Sequence, residues 1–275
     1  MSIVLWWSPL LATLRLALES DAHTHILLIL PLSLALIYLD RTKLERPVQR
    51  SGRESLVTLL AIVGVAVLLM TGARGLADDV RLSLSMFALV VSWIGIFLFC
   101  FGRRALWTFI FPLCFLLWMV PIPSSALDGI IQFLQDQSAF AARLLFQLAR
   151  VPVTQDGTML SIPGLDIAVA PECSSIRSSL MLVITTTIIA RLFLRSWWRK
   201  VLLVAAAIPL SVAKNGLRIF TIAELGTRVD PGYLDGRLHH HGGIVFLGIS
   251  IAAVVLLLLV LRKTEIEKPA ETATA

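Results

Sequence analysis

The sequence predicts an all-α polytopic membrane protein of about eight transmembrane helices, with a small extracytoplasmic insertion made of an amphipathic helix and a β-hairpin. Three observations predict it. Of 275 residues, 57% are hydrophobic and only 15% charged, too few charges to solvate the surface of a soluble domain. Apolar runs approaching the roughly 20 residues that cross a bilayer recur along the whole chain. The basic residues, finally, gather in alternate loops, as cytoplasmic membrane loops do. That grouping also accounts for the formal net charge of +6 without a nucleic-acid partner.

The candidate spans run approximately over residues 3–19, 24–40, 56–72, 83–101, 105–120, 174–192, 201–222 and 242–261. Arg15 interrupts the first, which is equally readable as a helix lying in the interface. The N-terminus lacks the basic start and small-residue cleavage site of a secretory signal and is read as part of the mature chain.

Orientation follows from Lys and Arg in the short loops. One set holds Arg41, Lys43, Arg46, Arg50 and Arg53, then Arg103 and Arg104, then Arg191, Arg195, Arg199 and Lys200, then Arg262 and Lys263. It is assigned to the cytoplasm. The other set is mixed or acidic: the loop of Asp21, His23 and His25, residues 74–81, residues 121–173, and residues 223–241. The chain is therefore read as one transmembrane domain over 1–263, with its extracytoplasmic insertion at about 121–173, followed by a polar cytoplasmic tail over 264–275.

Within the insertion, Leu127, Ile131, Leu134, Ala141, Leu145 and Leu148 recur at helical spacing, while Asp128, Gln132, Gln135, Asp136, Arg143 and Gln147 occupy other parts of the wheel. This pattern predicts an amphipathic helix on the membrane. The strand-like runs TMLSI and LDIAV flank Pro163-Gly164 and predict a β-hairpin leading into PECSSIRSS at 171–179.

With this topology, polar residues far apart in sequence reach one depth. Cys173 opens the sixth span, Arg218 lies in the last turns of the seventh, and His239, His240 and His241 precede the eighth, all toward the outer side. A thiol at a helix N-terminus meets unpaired N–H groups and the positive end of the helix dipole, which favour the thiolate. An arginine inside a membrane helix costs about 2.5–3.5 kcal/mol on insertion scales and faces a polar cavity or a partner. Lys214 shares its helix face and Asn215 adds an amide. A histidine in reach of the thiolate would serve as general base and acid.

Plainer readings stand beside these. A lone cysteine at a membrane helix is commonly a packing residue, as Cys100 and Cys114 inside apolar runs are read to be. Arg218 near a helix end can snorkel to headgroups. Three adjacent helical histidines point about 100° apart and cannot share one ion, so no metal site is read from HHH, and three unpaired cysteines make no metal or disulfide framework. His23 and His25 are read as loop residues. Glu172, as an anion beside the thiol, opposes thiolate formation and receives no catalytic role.

Together, PECSSIRSS, NGLR and LHHHGG, in this order on the outer ends of the last three helices, resemble the exosortase/archaeosortase family. DAHTHILLILPLSLALIYLDR is similar to that family's early segment and FPLCFLLWMVPIP to its Pro-punctuated fifth helix. By that resemblance Cys173 matches the nucleophile, Arg218 and Asn215 match the arginine and asparagine of its N-x-x-R element, and His239 matches the histidine, with Gly243 four residues on and His240 as its competitor. Ser174 and Ser175 follow Cys173 where the family pattern has a small residue and then glycine; Ile176 and Arg177 continue the pattern. The resemblance implies a multi-pass cysteine protease/transpeptidase of the bacterial inner membrane, its active site facing the extracytoplasmic side. Its implied substrates are membrane-anchored surface proteins of the PEP-CTERM type, with a C-terminal motif, a transmembrane helix and a basic tail. No cofactor is implied. Two functions from other classes also fit the bare composition: a non-catalytic membrane scaffold or assembly factor for surface-protein or exopolysaccharide export, and a transporter. Against the transporter, no acidic residue is clearly embedded at mid-membrane and no inverted repeat is visible.

Overall fold

The computed structural model describes residues 6–43, 75–169, 176–233 and 243–267, together with Gly64 and Gly72. These residues fall into two compact units, one up to Leu127 and one from Asp128 onward.

The first unit begins with α1 (Trp7–Glu19), a 3-10 turn at Asp21–His23 and α2 (Ile26–Asp40). It continues with α3 (Asp78–Thr108), α4 (Ile110–Phe115) and a 3-10 turn at Leu116–Met119. α3 is broken where Gly102 adopts φ 78° and ψ 173°, a backbone region open essentially to glycine alone. The break falls one residue before Arg103 and Arg104, where the sequence places a loop. Inside these apolar helices the hydroxyls bond inward. Ser83 and Ser92 donate to the carbonyls of Asp79 and Ala88 four residues back, and the buried Ser33 of α2 donates to the Pro112 carbonyl at 2.7 Å. Where no water is available, such pairings keep polar groups satisfied.

The second unit takes most of α5 (Ser124–Leu148), then strands β1 (Thr154–Asp156), β2 (Met159–Ile162) and β3 (Leu165–Ala168), then α6 (Ile176–Phe193), α7 (Trp197–Arg228) and α8 (Gly243–Glu267). The segment read as a hairpin lies in a three-stranded antiparallel sheet, order β1-β2-β3, with Ile162 opposite Leu165 across Pro163-Gly164. Gly164 has φ 85°, the left-handed conformation this tight turn requires. Leu160 and Ile162 point from the sheet into a core with Ala139, Ala142 and Phe146 of α5 and Ile219 and Ala223 of α7.

That core turns the α5 wheel away from the stripe expected from sequence. The buried face is Leu134, Gln135, Ser138, Ala139, Ala142 and Phe146, whereas Ile130, Phe133, Phe140, Leu144 and Leu148 are exposed. Small side chains allow close approach of another helix, so serine and alanine take the protein-facing side. Ile130, Phe133, Phe140, Leu144 and Leu148 are left on the outer face, where a bilayer would cover them.

α6, α7 and α8 share a second core, in which Leu182, Ala190 and Leu194 meet Leu203, Ala207, Val254, Leu258 and Leu261. At one end of this trio the Glu265 carboxylate accepts the N–H groups of Arg195 (3.1 Å) and Ser196 (2.6 Å) and pairs with buried Arg199 at 3.3 Å. Arg199 also donates to the Thr264 carbonyl at 2.8 Å. An anion at the start of α7 complements its dipole. α8 thus continues as contact-making helix into the stretch that the sequence assigns to a polar tail.

Among the described residues, five helices are long and apolar enough to cross a membrane: 21–40, 78–108, 176–193, 197–228 and 244–265. A sixth is added if the helical pieces on either side of residues 120–123 count as one bent span. The protein is thus a mainly helical, multi-pass membrane protein. Of the eight spans expected, 56–72 lies outside the described residues. Residues 3–19 contain a helix of 13 residues, about 20 Å long and shorter than a crossing needs. Residues 105–120 are divided between the end of α3, α4 and a 3-10 turn.

Candidate active site

The structure places Lys214, Asn215 and Arg218 on one buried stretch of α7, with 4%, 0% and 8% of their surfaces exposed. Burial this deep requires a close neighbour, and Gly216 admits it. A Cβ on Gly216 would stand 2.6 Å from the Ala141 Cβ and 2.9 Å from the Ala142 backbone nitrogen. α5 therefore crosses α7 almost backbone to backbone, and Ile219 and Ala223 carry the contact on into the core shared with the sheet.

The chain on both sides of residues 170–175 is fastened to this stretch. Before it, the buried Gln135 amide of α5 donates to the Val169 carbonyl at 2.7 Å. After it, Ile176 opens α6, and two consecutive serines bind α7: the Lys214 ammonium donates to the Ser178 hydroxyl, and the Ser211 hydroxyl donates to that of Ser179 at 2.5 Å. These pairs fix α6 and α7 as antiparallel neighbours. At 1.5 Å per residue, Ile176 lies about 5 Å beyond Ser179 in the direction along which Arg218 lies about 10 Å beyond Ser211.

α8 runs antiparallel to α7 from the Arg199–Glu265 pair. Gly243 lies about 33 Å along α8 from Glu265, and Arg218 about 28 Å along α7 from Arg199. The start of α6, the Lys214–Arg218 stretch and the start of α8 therefore occupy one end of the three-helix group, opposite the end closed by Glu265. Of the residues singled out from sequence, Arg218, Asn215 and Lys214 are brought together here. Cys173, Glu172, His239, His240 and His241 lie outside the described residues.

Sequence reasoning missed two features. Ser178 and Ser179 receive no role from the sequence, yet both bind α7; their spacing from Lys214 and Ser211 becomes meaningful only once the helices pair. His23 and His25, read as loop residues, are buried in the first unit. His23 contacts the Ser20 hydroxyl at 3.0 Å and the Ile122 carbonyl at 3.4 Å, and His25 the Ala22 carbonyl at 3.0 Å, with its ring edge-on to Trp118. Their position just before an apolar helix was the available signal. Among the described residues, no group of histidine, cysteine and carboxylate side chains could hold a metal ion.

The family model for transmembrane exosortases matches residues 6–257. This chain belongs to the transmembrane exosortase family. The match covers α1 through most of α8 and so includes the sheet, the Lys214–Arg218 stretch and both flanking helix starts. No curated protein and no solved structure matches it. Membership points to a role for this exosortase in processing sorting signals at a membrane.

Proposed function

We propose that this exosortase is a membrane cysteine protease/transpeptidase that cleaves the C-terminal sorting signal of exported surface proteins, with Cys173 as nucleophile, Arg218 as oxyanion stabiliser and His239 as proton carrier. The observation that carries the proposal is the anchoring of α6 to α7 through Ser178 and Ser179, beside a buried Asn215–Arg218 turn. Cys173 precedes Ile176 by three residues, so the chain allows no more than about 10 Å between their Cα atoms. Arg218 is about 6 Å further along the bundle than Ile176. His239 precedes the start of α8 by four residues, a reach of about 14 Å.

The depth of the site fits the same chemistry. Trp197 and Trp198 are exposed at the start of α7 beside Arg195 and Lys200, a pairing suited to a headgroup interface. Arg218 is about 31 Å along the helix from Trp197, close to the roughly 30 Å thickness of a hydrocarbon core. If the Trp pair marks the cytoplasmic boundary, Arg218 stands at the extracytoplasmic one. Residues 56–72 supply a further span, and the insertion of α5 and the sheet forms the cleft beside the site. The substrate's tail helix docks laterally, its basic end held in the cytoplasm of the bacterial cell, so that its motif meets Cys173.

His239 takes the thiol proton, and the sulfur attacks the scissile carbonyl carbon. The electron pair moves to oxygen, where the fixed Arg218 guanidinium balances the charge, and Asn215, one turn earlier, supports that geometry. Collapse of the adduct breaks the C–N bond. His239 returns its proton to the leaving amine, and a thioester remains on Cys173. Water or an amine then attacks the thioester, giving its proton to His239 as sulfur leaves. Co-expression of a tagged substrate with wild-type or Cys173→Ala enzyme, followed by the mass of the product's C-terminus, tests this. Only the wild type should yield product, and an added group on the new C-terminus would identify transfer. Equal processing by an inserted Cys173→Ala enzyme would refute the proposal.

A further inference from the structure

The sheet ends in an open edge at β3. This strand pairs with β2 from Leu165 opposite Ile162 to Ala168 opposite Met159. In an antiparallel pair, alternate residues turn their N–H and C=O groups toward the partner strand. The two-residue turn at Pro163-Gly164 makes Ile162 and Leu165 such a pair. The Val169 N–H, donating to the Thr158 carbonyl at 3.0 Å, keeps the same phase. Asp166 and Ala168 therefore turn their N–H and C=O groups to the other side, away from β2. Both residues are exposed, and among the described residues these outward groups meet no partner. The edge is nevertheless held in place. Leu165 and Ile167 pack into the core with Ile219 and Ala223 of α7, and the Gln135 amide of α5 fixes the Val169 carbonyl at 2.7 Å. An open strand edge of this kind is a template for pairing with another extended chain.

We propose that the β3 edge is the docking surface for the substrate: an extended stretch of the cleaved motif adds to the sheet as a fourth strand, bonded through the main chain of Asp166 and Ala168. This rests on the peptidase reading of Cys173 and Arg218. Ala168 precedes Cys173 by five residues, a reach of about 17 Å. Ile219, next to Arg218, lies in the core beneath the same sheet. A peptide on this edge is thus brought to the chain segment that carries the nucleophile. Strand addition holds it extended through main-chain bonds, and its side chains alternate between the two faces of the sheet, where they are free to be selected. The far edge, β1, is less suited. It turns only Gln155 outward, and it lies two strands away from the run into Cys173. A second copy of this chain is a poorer occupant, because it brings the like charges of two Asp166 carboxylates onto one four-residue edge.

The test uses intact enzyme in membranes and, as probe, a tagged surface protein that is cut in wild-type cells and accumulates uncut in Cys173→Ala cells. Asp166→Cys or Ala168→Cys is added to the Cys173→Ala enzyme, and single cysteines are walked through the motif of the probe. Disulfides formed under a mild oxidant are compared with those of Cys173→Ala alone. Each added cysteine should link to one probe position and to neither of its immediate neighbours. Moving it from position 166 to 168 should move the link by two residues. Thr154→Cys, on β1, should stay unlinked. In the otherwise wild-type enzyme, Ala168→Pro removes an outward N–H while sparing the ladder to β2. It should lower kcat/KM on the probe by about 10- to 100-fold, the cost of leaving a peptide carbonyl unpaired. Gln155→Pro, the same change on β1, should leave kcat/KM nearly unchanged. Absent links, links of equal strength at successive probe positions, links at Thr154→Cys as strong as those on β3, or equal effects of the two prolines overturn the docking surface. If Ala168→Pro fails to accumulate in the membrane, the cross-links decide alone. If every surface protein cut in wild-type cells is also cut in Cys173→Ala cells, the peptidase reading itself fails, and the docking surface with it. A probe that needs Cys173 for cleavage yet shows no ordered link refutes the added strand alone.

Discussion

At the scale of single residues, Arg218 and Lys214 occupy similar positions but carry different burdens. Arg218 offers a planar fork of donors, suited to a developing oxyanion, which a lysine replaces only as a point charge. Arg218→Met should therefore lower kcat by about 100- to 1,000-fold, as does removal of a main oxyanion donor. Arg218→Lys should recover part of that loss, and both proteins should accumulate in the membrane at wild-type levels; turnover of a fixed substrate amount, with immunodetection of enzyme, checks this. The helical setting of Arg218 and Asn215 was legible in the sequence, because both fall inside an apolar run long enough to span a membrane. The role of Ser178 was not legible. A serine near the start of a helix has many uses, and its contact with Lys214 depends on a register that only the packed pair of helices defines.

At the scale of elements, the close crossing of α5 and α7 sets the depth at which Arg218 is held. Gly216→Ala places a methyl group 2.6 Å from the Ala141 Cβ, and Gly216→Val adds branches in the same space. Neither neighbour has a flexible end that can swing aside. The helices should separate slightly, so Gly216→Ala is expected to lower the melting temperature in detergent and reduce turnover, with Gly216→Val worse on both counts. A second glycine gives an independent check. Gly102→Ala should cost about 1–3 kcal/mol of stability, since its φ and ψ lie where a Cβ is strained, without changing substrate preference. Much of this layer could be anticipated. The helical and strand periods of 121–168 and the break before Arg103 were visible, because hydrophobic period and glycine placement are local signals. The protein-facing side of α5 was not legible, because the wheel marks an apolar stripe for the membrane, whereas packing against α7 and the sheet also takes up small residues such as Ser138, Ala139 and Ala142.

At the scale of the whole molecule, the three-helix group is closed at one end by Glu265 and presents Lys214 and Arg218 at the other. A chain ending at Lys263 loses the carboxylate that caps α7 and pairs with Arg199. It should melt at a lower temperature than one ending at Glu267. The overall plan of a multi-pass helical protein was readable from composition and from the alternation of basic loops, which a bilayer enforces over the full length of the chain. The lengths of individual helices were not. Apolar composition alone does not distinguish a straight span from the broken path of α4 and its neighbouring turn. The central claim is that helix ends distant in sequence meet around one reactive thiol. Its most direct measurement is mass spectrometry of intact enzyme isolated with its substrate, with and without hydroxylamine. The account predicts a hydroxylamine-labile substrate adduct on Cys173 that is missing in Cys173→Ala. Cleaved substrate produced by the Cys173→Ala enzyme, with no adduct at any point, would contradict it.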